Sequence, residues 1–432
     1  MNKREGGRQS SLSQSNCTCD RIQIVSNEYQ NNHYVPAWYQ KRFLPVGQKD
    51  QELCYLNFQP GFLVDSRGIA HPRHAIRKLG FKHCFAEKDL YTTRFGVEVS
   101  KNIEKNFFGQ IDNTGCRAVE LISDFSHGSV GGEVFQDFVM YMGTQKLRTI
   151  KGLEWLALQS GAKDKSMILS LMIQFRQLFC AIWTECVWLI ADASQSATKF
   201  IVSDHPVTVY NRRCGPRSQW CSGANDPDIR LHATHTIFPL SLEKVLILTN
   251  LSWVRNPYQS EAEMRPNPNL FRGALFNLLD VQILRHLNEQ EVREINFIIK
   301  SRARRFIGAA KEEWLFPERH ISKSQWNTYG DGYLLMPDPR DIHLRGETFM
   351  GFNDGRSTAW DPYGRRPWER DFGKEGRAQS EFQTLYRFKG EFARLFGPFR
   401  RGRSYEMGEL SEERDDDSSH QYHLSLEKNQ RV

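Results

Sequence analysis

Apolar residues recur at helical spacing through much of the chain. Phe135, Phe138 and Met142 are three or four residues apart, which places them on one face of an α-helix. The same spacing predicts helices over residues 97–125, 133–159, 165–183 and 288–307, the first of them bent or divided in two. The last helix begins with Asn288 and Glu291, which form a capping box with asparagine in place of the usual serine or threonine.

Short β-rich segments follow the first helices. They are rich in β-branched residues and separated by turns, a pattern typical of strands that pair with their neighbours in the chain. The predicted strands cover residues 187–191, 199–210, 236–240 and 244–249. Helices in one part of the chain and strands in another indicate an α+β fold, with a mainly helical body and one small antiparallel β-sheet.

The two ends of the chain lack this periodicity. Residues 1–28 hold too few apolar side chains to offset the entropy cost of ordering, so we predict a disordered N-terminal segment. We predict a single α+β domain over residues 29–316. Residues 317–432 are predicted to form a Gly/Arg-rich polyampholyte tail that is mostly disordered, although residues 382–396 could form an amphipathic helix or a partner-binding element.

The charge distribution and the apolar segments indicate which partners and which cellular location to expect. The formal net charge is +7, and residues 340–432 contain 17 Lys and Arg against 17 Asp and Glu, so the excess lies before residue 340. Such an excess is compatible with an anionic ligand or nucleic acid as partner, and equally with an ordinary solvated surface. Residues 1–28 show no secretory signal, and the apolar region 167–191 is interrupted by polar residues. We therefore predict a cytoplasmic or nuclear protein without a membrane span.

No complete catalytic, metal or cofactor motif is present. The pairs His71 with His74 and His232 with His235 supply at most half of the ligands of a zinc site. The glycine-rich turn 128–132 has neither the preceding strand nor the Gly-Lys-Ser/Thr of a phosphate-binding loop. We predict neither a bound metal nor a cofactor.

Polar residues set among apolar and aromatic ones are more informative. Gln145 and Arg148 are three residues apart in a predicted helix, so their side chains share one face. The strand before Asp204 ends in an acid that is costly to bury unless it is paired, and Arg148 is its predicted partner.

Two interpretations of these residues stay open. In the structural one, Arg148 and Asp204 form an ion pair that ties the helical part to the sheet. In the functional one, His33 as general acid or base, Arg148 as anion clamp and Asp204 as orienting group or metal ligand converge on one pocket. The residues expected to bind substrate or to complete a structural polar network are Gln145, Thr149, Ser203, His205 and Asn296.

Four short blocks occur in order along the chain: His33-Tyr34-Val35-Pro36 with Tyr39 and Phe43, Gln145-Lys146-Leu147-Arg148-Thr149, Ser203-Asp204-His205-Pro206-Val207, and Pro239-Leu240-Ser241. Together they resemble the family catalogued as domain of unknown function 4238, over roughly residues 30–310. The chain departs from the family pattern at His205, where asparagine is expected, and at Asp112, where glutamate is expected. The resemblance supports the candidate residues, but it implies no established activity.

Two functions remain from the sequence. The first is a hydrolase that acts on a phosphate-containing or nucleic-acid substrate, which the His, Gln, Arg and Asp set and the basic body favour. The alternative is a non-catalytic binding or scaffold module in which the same set is a structural polar network. The sequence leaves open whether the protein is an enzyme.

Overall fold

The structure is a computed structural model that describes residues 31–95, 98–100, 103–259, 262–321, 326, 333–344, 346–405 and 412–428. The predicted disordered segment 1–28 lies outside these residues. Within the described ranges, none of the helices is both long and apolar enough to span a bilayer.

Ten α-helices are present in the described residues. Their bounds are α1 Ala37–Lys41, α2 Gly109–Ser123, α3 Gly132–Arg148, α4 Ile150–Ser160, α5 Lys165–Gln174, α6 Cys180–Thr184, α7 Leu251–Arg255, α8 Glu289–Arg302, α9 Glu375–Phe396 and α10 Glu412–Lys428. A π-helical segment, Ile103–Phe108, precedes α2. Short 3₁₀ turns cover Phe81–His83, Gln219–Cys221, Leu278–Asp280, Glu312–Leu315, Pro317–Arg319 and Pro339–Asp341.

The strands are short and numerous. Their bounds are β1 Asn31–His33, β2 Glu52–Asn57, β3 Phe62–Val64, β4 Ala70–Pro72, β5 Ile76–Gly80, β6 Ala86–Lys88, β7 Thr93–Phe95, β8 Glu98–Ser100, β9 Val187–Asp192, β10 Val202–Ser203, β11 Thr208–Asn211, β12 Thr234–Pro239, β13 Lys244–Thr249, β14 Gln282–His286, β15 Phe306–Ala309, β16 Thr348–Gly351 and β17 Ser357–Trp360.

Two sheets organise the described residues. The larger has the order β11-β12-β13-β9-β14, antiparallel throughout except that β14 runs parallel to β9. The smaller has the order β10-β15-β2-β5 and is fully antiparallel. Separate two-stranded pairs are formed by β1 with β6, β3 with β4, β7 with β8, and β16 with β17.

The prediction of a mainly helical body with one small sheet is therefore wrong. The predicted strand 199–210 is divided, since β10 pairs with β15 in the smaller sheet and β11 pairs with β12 in the larger one. The smaller sheet was missed because β2 and β15 pair across about 250 residues of chain, and a pairing at that separation leaves no local signal in the sequence.

Helix α3 and residues 33–43 both pack on the larger sheet. Phe138 of α3 contacts the rings of Trp188 and Phe238, with centroids 5.9 and 6.1 Å away. Tyr39 of α1 stacks on Phe238 at 5.5 Å. The aromatic residues after His33 thus pack into the core, which holds β1 and α3 in a fixed relation.

All four predicted helices differ from those in the structure. Residues 98–100 of the helix predicted over 97–125 form β8, and the helix predicted over 165–183 is divided into α5 and α6. The helix predicted over 133–159 is interrupted at Thr149, whose extended backbone ends α3 and whose hydroxyl accepts from Gly152 N to cap α4. The helix predicted over 288–307 starts with the expected capping box at Asn288 but ends at Arg302. The apolar residues that follow form β15, because they pair with β2 and β10.

The predicted disordered C-terminal tail also needs correction. Helix α9 buries Leu385, Phe388 and Phe392 in a cluster that includes Trp253 and Val254 of α7. These three residues recur at helical spacing, so the helix gains a continuous apolar face. The amphipathic helix that the sequence allowed over residues 382–396 is present as part of α9.

Candidate functional site

One row of polar side chains runs along α3. Tyr141, Gln145 and Arg148 lie at positions i, i+4 and i+7 and are all buried, so they share one helix face. This face contacts residues 33–43. The Gln145 amide donates to the Tyr34 carbonyl at 2.8 Å, and the Tyr141 ring lies 5.2 Å from the Trp38 ring. Buried polar groups in a row indicate a built polar site, which we call the Arg148 site.

Asp112 of α2 supplies the charge partner of Arg148. Its Oδ1 accepts from Arg148 Nη1 at 2.8 Å. Gly115, one turn further along α2, allows the approach, because a Cβ at this position would lie 2.4 Å from the Tyr141 ring. Although burial works against its charge, the carboxylate of Asp112 holds the pKa of Arg148 above its ordinary value. The guanidinium is therefore charged.

Asp112 uses only Nη1 of the Arg148 guanidinium. Arg148 Nε and Nη2 are buried and have no hydrogen-bond partner among the described residues, and the same holds for Gln145 Oε1 and the Tyr141 hydroxyl. Buried donors without partners are rare and costly in native proteins. Nε and Nη2 project from one side of the guanidinium as a fork that matches two oxygens of a carboxylate or phosphate. These two donors have the geometry that an oxyanion requires, although neither described cavity is lined by Arg148.

His33 lies at the end of β1 and is close enough to Arg148 for the cation to affect its titration. Its Nε2 is 3.0 Å from the Phe81 carbonyl. A carbonyl only accepts, so Nε2 carries the proton and Nδ1 is the basic nitrogen. Burial, and to a smaller extent the charge of Arg148, lowers the pKa of His33 below its ordinary value. His33 is therefore neutral at pH 7, as a general base must be.

Asp204 is placed elsewhere, and the predicted ion pair between Arg148 and Asp204 is not formed. The carboxylate of Asp204 accepts from the backbone amides of Arg304, Arg305 and Phe306 at 2.8, 2.6 and 2.8 Å. These amides form the connection from α8 to β15. Asp204 thus fastens this connection to β10, and backbone donors satisfy a carboxylate as well as an arginine does.

His205, the next residue, belongs to a second buried cluster, which we call the Asp226 cluster. His205 Nδ1 lies 2.7 Å from the Thr149 hydroxyl, and its Nε2 lies 3.1 Å from Asp226 Oδ2. Because an ionised carboxylate only accepts, Nε2 carries the proton and Nδ1 accepts from Thr149. The break between α3 and α4 is thereby joined to β10 and to the loop that carries Asp226.

Three cations surround Asp226. Lys146 Nζ lies 2.9 Å from Oδ2, Lys151 Nζ lies 2.6 Å from Oδ1, and Arg302 Nε lies 3.9 Å from Oδ1. Burial alone would raise the pKa of Asp226, but the two lysines and His205 hold it well below its ordinary range. Burial and the neighbouring cations lower the pKa of His205 to about 4. With His205 neutral, the cluster has three positive charges and one negative charge.

The remaining predicted residues are structural in their contacts. Asn296 of α8 accepts from Ile201 N at 3.3 Å and donates to the Lys199 carbonyl at 2.8 Å, so it holds the segment that leads into β10. The Ser203 hydroxyl accepts from His205 N at 3.3 Å. The structure thus distributes the predicted set over the Arg148 site, the Asp226 cluster and the region around β10.

The sequence analysis missed Asp226, Lys146, Lys151 and Arg302. Lys146 stands within the Gln145 to Thr149 block, but Lys151 is five residues further along the chain and belongs to α4, so no local spacing marks the two lysines as neighbours. Asp226 lies in an irregular loop, where no periodicity marks a buried side chain.

The two described cavities lie apart from these residues. The larger has a volume of about 150 Å³ and is lined by residues of β9, α7 and the C-terminal segment, among them Glu185, Trp188, Arg255 and Trp360. The smaller is lined by Tyr210, His235 and Trp253, among others. Neither is lined by His33, Arg148 or Asp204. Among the described residues, no group of three or more His, Cys, Asp or Glu side chains is arranged to hold a metal ion.

Comparison with protein families identifies one relationship. A family model described as "Protein of unknown function (DUF4238)" matches residues 133–313, so the predicted resemblance is confirmed over this range. The matched range contains α3, the Asp226 cluster and β10, while His33 precedes it. Neither the comparison with curated proteins nor the one with solved structures found a match.

Proposed function

Taking the match of residues 133–313 to this family as the premise, we propose that the chain is a hydrolase that holds a phosphate group of its substrate on Arg148. The observation that supports this proposal is the fork formed by Arg148 Nε and Nη2, which is buried, charged and without a partner in the described part of the chain. Arg148 is 1 % exposed. An oxyanion bound at such a site exchanges its hydration for two charge-assisted hydrogen bonds at low dielectric.

Phosphate fits the electrostatics of this region. Asp112 offsets the charge of Arg148, while the Asp226 cluster, whose Lys146 lies on the same helix, adds three cations against one carboxylate. A second negative charge on the ligand is therefore favoured, as in a phosphate monoester. Gln145 Oε1 accepts hydrogen bonds and the Tyr141 hydroxyl can donate one, so both can complete the shell of a protonated or esterified phosphate.

His33 supplies the proposed base. Its Nδ1 would take a proton from a water molecule that attacks phosphorus, while the P–O bond to the leaving group breaks and the leaving oxygen takes a proton from solvent. Arg148 would stabilise the charge that develops on the phosphoryl oxygens. Asp204 has no part in this reaction, because its oxygens are occupied by three backbone amides.

The test pairs a binding assay with a turnover assay on the purified full chain. Inorganic phosphate should raise the melting temperature of the parent protein, and Arg148→Lys, which keeps the charge but loses the fork, should abolish this shift. Hydrolysis of p-nitrophenyl phosphate, bis(p-nitrophenyl) phosphate and nucleotides should fall by about 10²–10⁴ in His33→Asn, with phosphate binding retained. Hydrolysis that survives both substitutions would overturn the proposal.

A non-catalytic binding module is the second candidate. It is favoured because hydrogen bonds from backbone amides and lysines already occupy the carboxylates of Asp204 and Asp226. These two acids therefore stabilise the fold and are not free to act in catalysis. Phosphate binding that depends on Arg148, with no turnover on any of these substrates, would select this candidate. A cytoplasmic or nuclear location remains part of the proposal on the grounds given by the sequence.

A further inference from the structure

The hairpin of β3 and β4 exposes apolar side chains on both of its faces. Phe62, Leu63 and Val64 are consecutive, so alternation along the strand points them to opposite faces, yet they are 67, 54 and 69 % exposed. Ile69, just before β4, is 49 % exposed. These strands pair only with each other in the described sheets. We call this element, residues 62–72, the apolar hairpin.

Such exposure marks a contact surface. Single exposed apolar residues are normal, but a contiguous group on a projecting element is characteristic of an interaction site. The hairpin has no core face that would explain its apolar residues, since none of the described residues covers either side. Its tip is the turn 65–68, where Asp65 accepts from the backbone amides of Arg67 and Ile69 at 2.9 Å each.

Cations surround the apolar residues. Residues 58–78 contain Arg67, Arg73, Arg77 and Lys78 against the single carboxylate of Asp65, a formal net charge of +3. All four basic residues are exposed. Asp65 is paired with Arg67 at 3.2 Å, so the charges of Arg73, Arg77 and Lys78 are the uncompensated ones within this stretch.

We propose that the apolar hairpin docks the protein on an anionic lipid surface, with Phe62, Leu63, Val64 and Ile69 in the headgroup boundary and the basic residues against lipid phosphates. Apolar insertion and electrostatic attraction are the two components of interfacial membrane binding. Exposed apolar side chains along a two-stranded hairpin suit the soft boundary of a bilayer. Single-stranded nucleic acid is the other anionic partner, but its bases stack on aromatic rings, and only one of the four is aromatic.

The chain offers a matched control. The hairpin of β16 and β17 carries Phe349, which is 74 % exposed, so it equals Phe62 in apolar exposure. Around it, residues 344–366 contain four arginines against three carboxylates, a formal net charge of +1, so the positive excess is smaller than the +3 of the apolar hairpin. Phe349→Ser removes about as much exposed apolar area as Phe62→Ser but leaves the basic hairpin intact.

The experiment is sedimentation of the full-length protein with two vesicle types, phosphatidylcholine alone and phosphatidylcholine mixed with phosphatidylserine. Binding is expected to the mixed vesicles and to weaken as salt is added. Phe62→Ser should weaken it roughly tenfold, Arg73→Gln with Lys78→Gln should weaken it and flatten its salt dependence, and Phe349→Ser should bind like the parent. Unchanged melting temperatures would show that the variants are folded.

Each other outcome overturns the proposal. Equal binding to both vesicle types would remove the electrostatic basis, and equal loss in Phe62→Ser and Phe349→Ser would remove the role of this hairpin. Binding of single-stranded DNA that Phe62→Ser abolishes, without vesicle binding, would assign the surface to nucleic acid. A parent protein that is dimeric and becomes monomeric in Phe62→Ser, again without vesicle binding, would assign it to a second copy of the chain.

Discussion

Arg148 on α3 donates to Asp112 on α2 across 2.8 Å, although the two residues are 36 positions apart. The bond uses only Nη1 and leaves Nε and Nη2 without partners among the described residues. The same arginine thus fastens two helices together and presents a charged fork to the interior. Its structural and its proposed functional roles can be separated by changing the partner instead of the arginine.

Asp112→Asn should weaken the fold and strengthen anion binding. The amide keeps a hydrogen-bond acceptor for Arg148 but removes the compensating charge, so the free energy of unfolding should fall by about 1–3 kcal/mol, less than for a fully buried pair because Asp112 is 25 % exposed. The uncompensated guanidinium should bind inorganic phosphate more tightly. Urea unfolding and thermal shifts with phosphate measure the two effects. A weakened fold without tighter phosphate binding would count against an oxyanion at Arg148.

Asp226→Asn should be strongly destabilising. Lys146, Lys151 and Arg302 would lose the one carboxylate of the Asp226 cluster, and stranding buried charges costs about 3–5 kcal/mol. Asp228→Asn is the matched control, because Asp228 pairs with Arg230 in the same loop but their side chains are 28 and 39 % exposed. An exposed pair contributes about 0–1 kcal/mol. Similar unfolding midpoints in urea for the two variants would contradict the assignment of Asp226 as the charge centre.

Stability should fall on acidification partly through His205. Burial, and then the charge of Lys146, lowers the pKa of His205 from 6.5 to about 4 in the folded protein. Between these values the unfolded chain binds a proton that the folded chain does not, so the contribution is complete above pH 6.5 and is lost as the pH falls towards 4. The slope for one proton is about 1.4 kcal/mol per pH unit.

His205→Asn should therefore reduce the loss of stability between pH 7 and pH 5. The comparison must be made between slopes, since the substitution also changes contacts that do not depend on pH. His232 and His235, whose pKa values burial lowers to about 4 and about 3, and His33, whose pKa burial also lowers, contribute to the slope that remains. Urea unfolding at several pH values measures it. An unchanged slope would mean that His205 is protonated in the folded protein.

Phe388→Ala should destabilise the fold if α9 is an integral part of it. Phe388 is fully buried in the cluster with Trp253 and Val254, and truncating a buried phenylalanine costs about 3–5 kcal/mol. Phe382→Ala on the same helix is the control, because Phe382 is 44 % exposed and its loss should cost about 1 kcal/mol or less. Equal effects of the two substitutions, measured by urea unfolding, would restore the picture of a loosely ordered tail.

Local pattern was a good guide to single elements and a poor one to their partners. The capping box at Asn288 and the helix around Phe138 depend on residues within a few positions of each other, so the sequence alone determined them. The same is true of α9, whose apolar spacing was visible although the charged sequence around it favoured a tail. The resemblance to the family was likewise carried by short blocks of sequence.

Only the tertiary structure determined which groups pair with the charged side chains of Arg148 and Asp204. Asp204 looked like the partner of Arg148 because each was a charge among apolar neighbours, but the loop before β15 offered Asp204 three amides, and Gly115 brought Asp112 to Arg148. Both choices depend on contacts between distant parts of the chain, where many pairings satisfy a buried charge equally well. The sequence determined that Arg148 and Asp204 would need partners, and the packing of α2 on α3 and of β10 on β15 determined which partners they have.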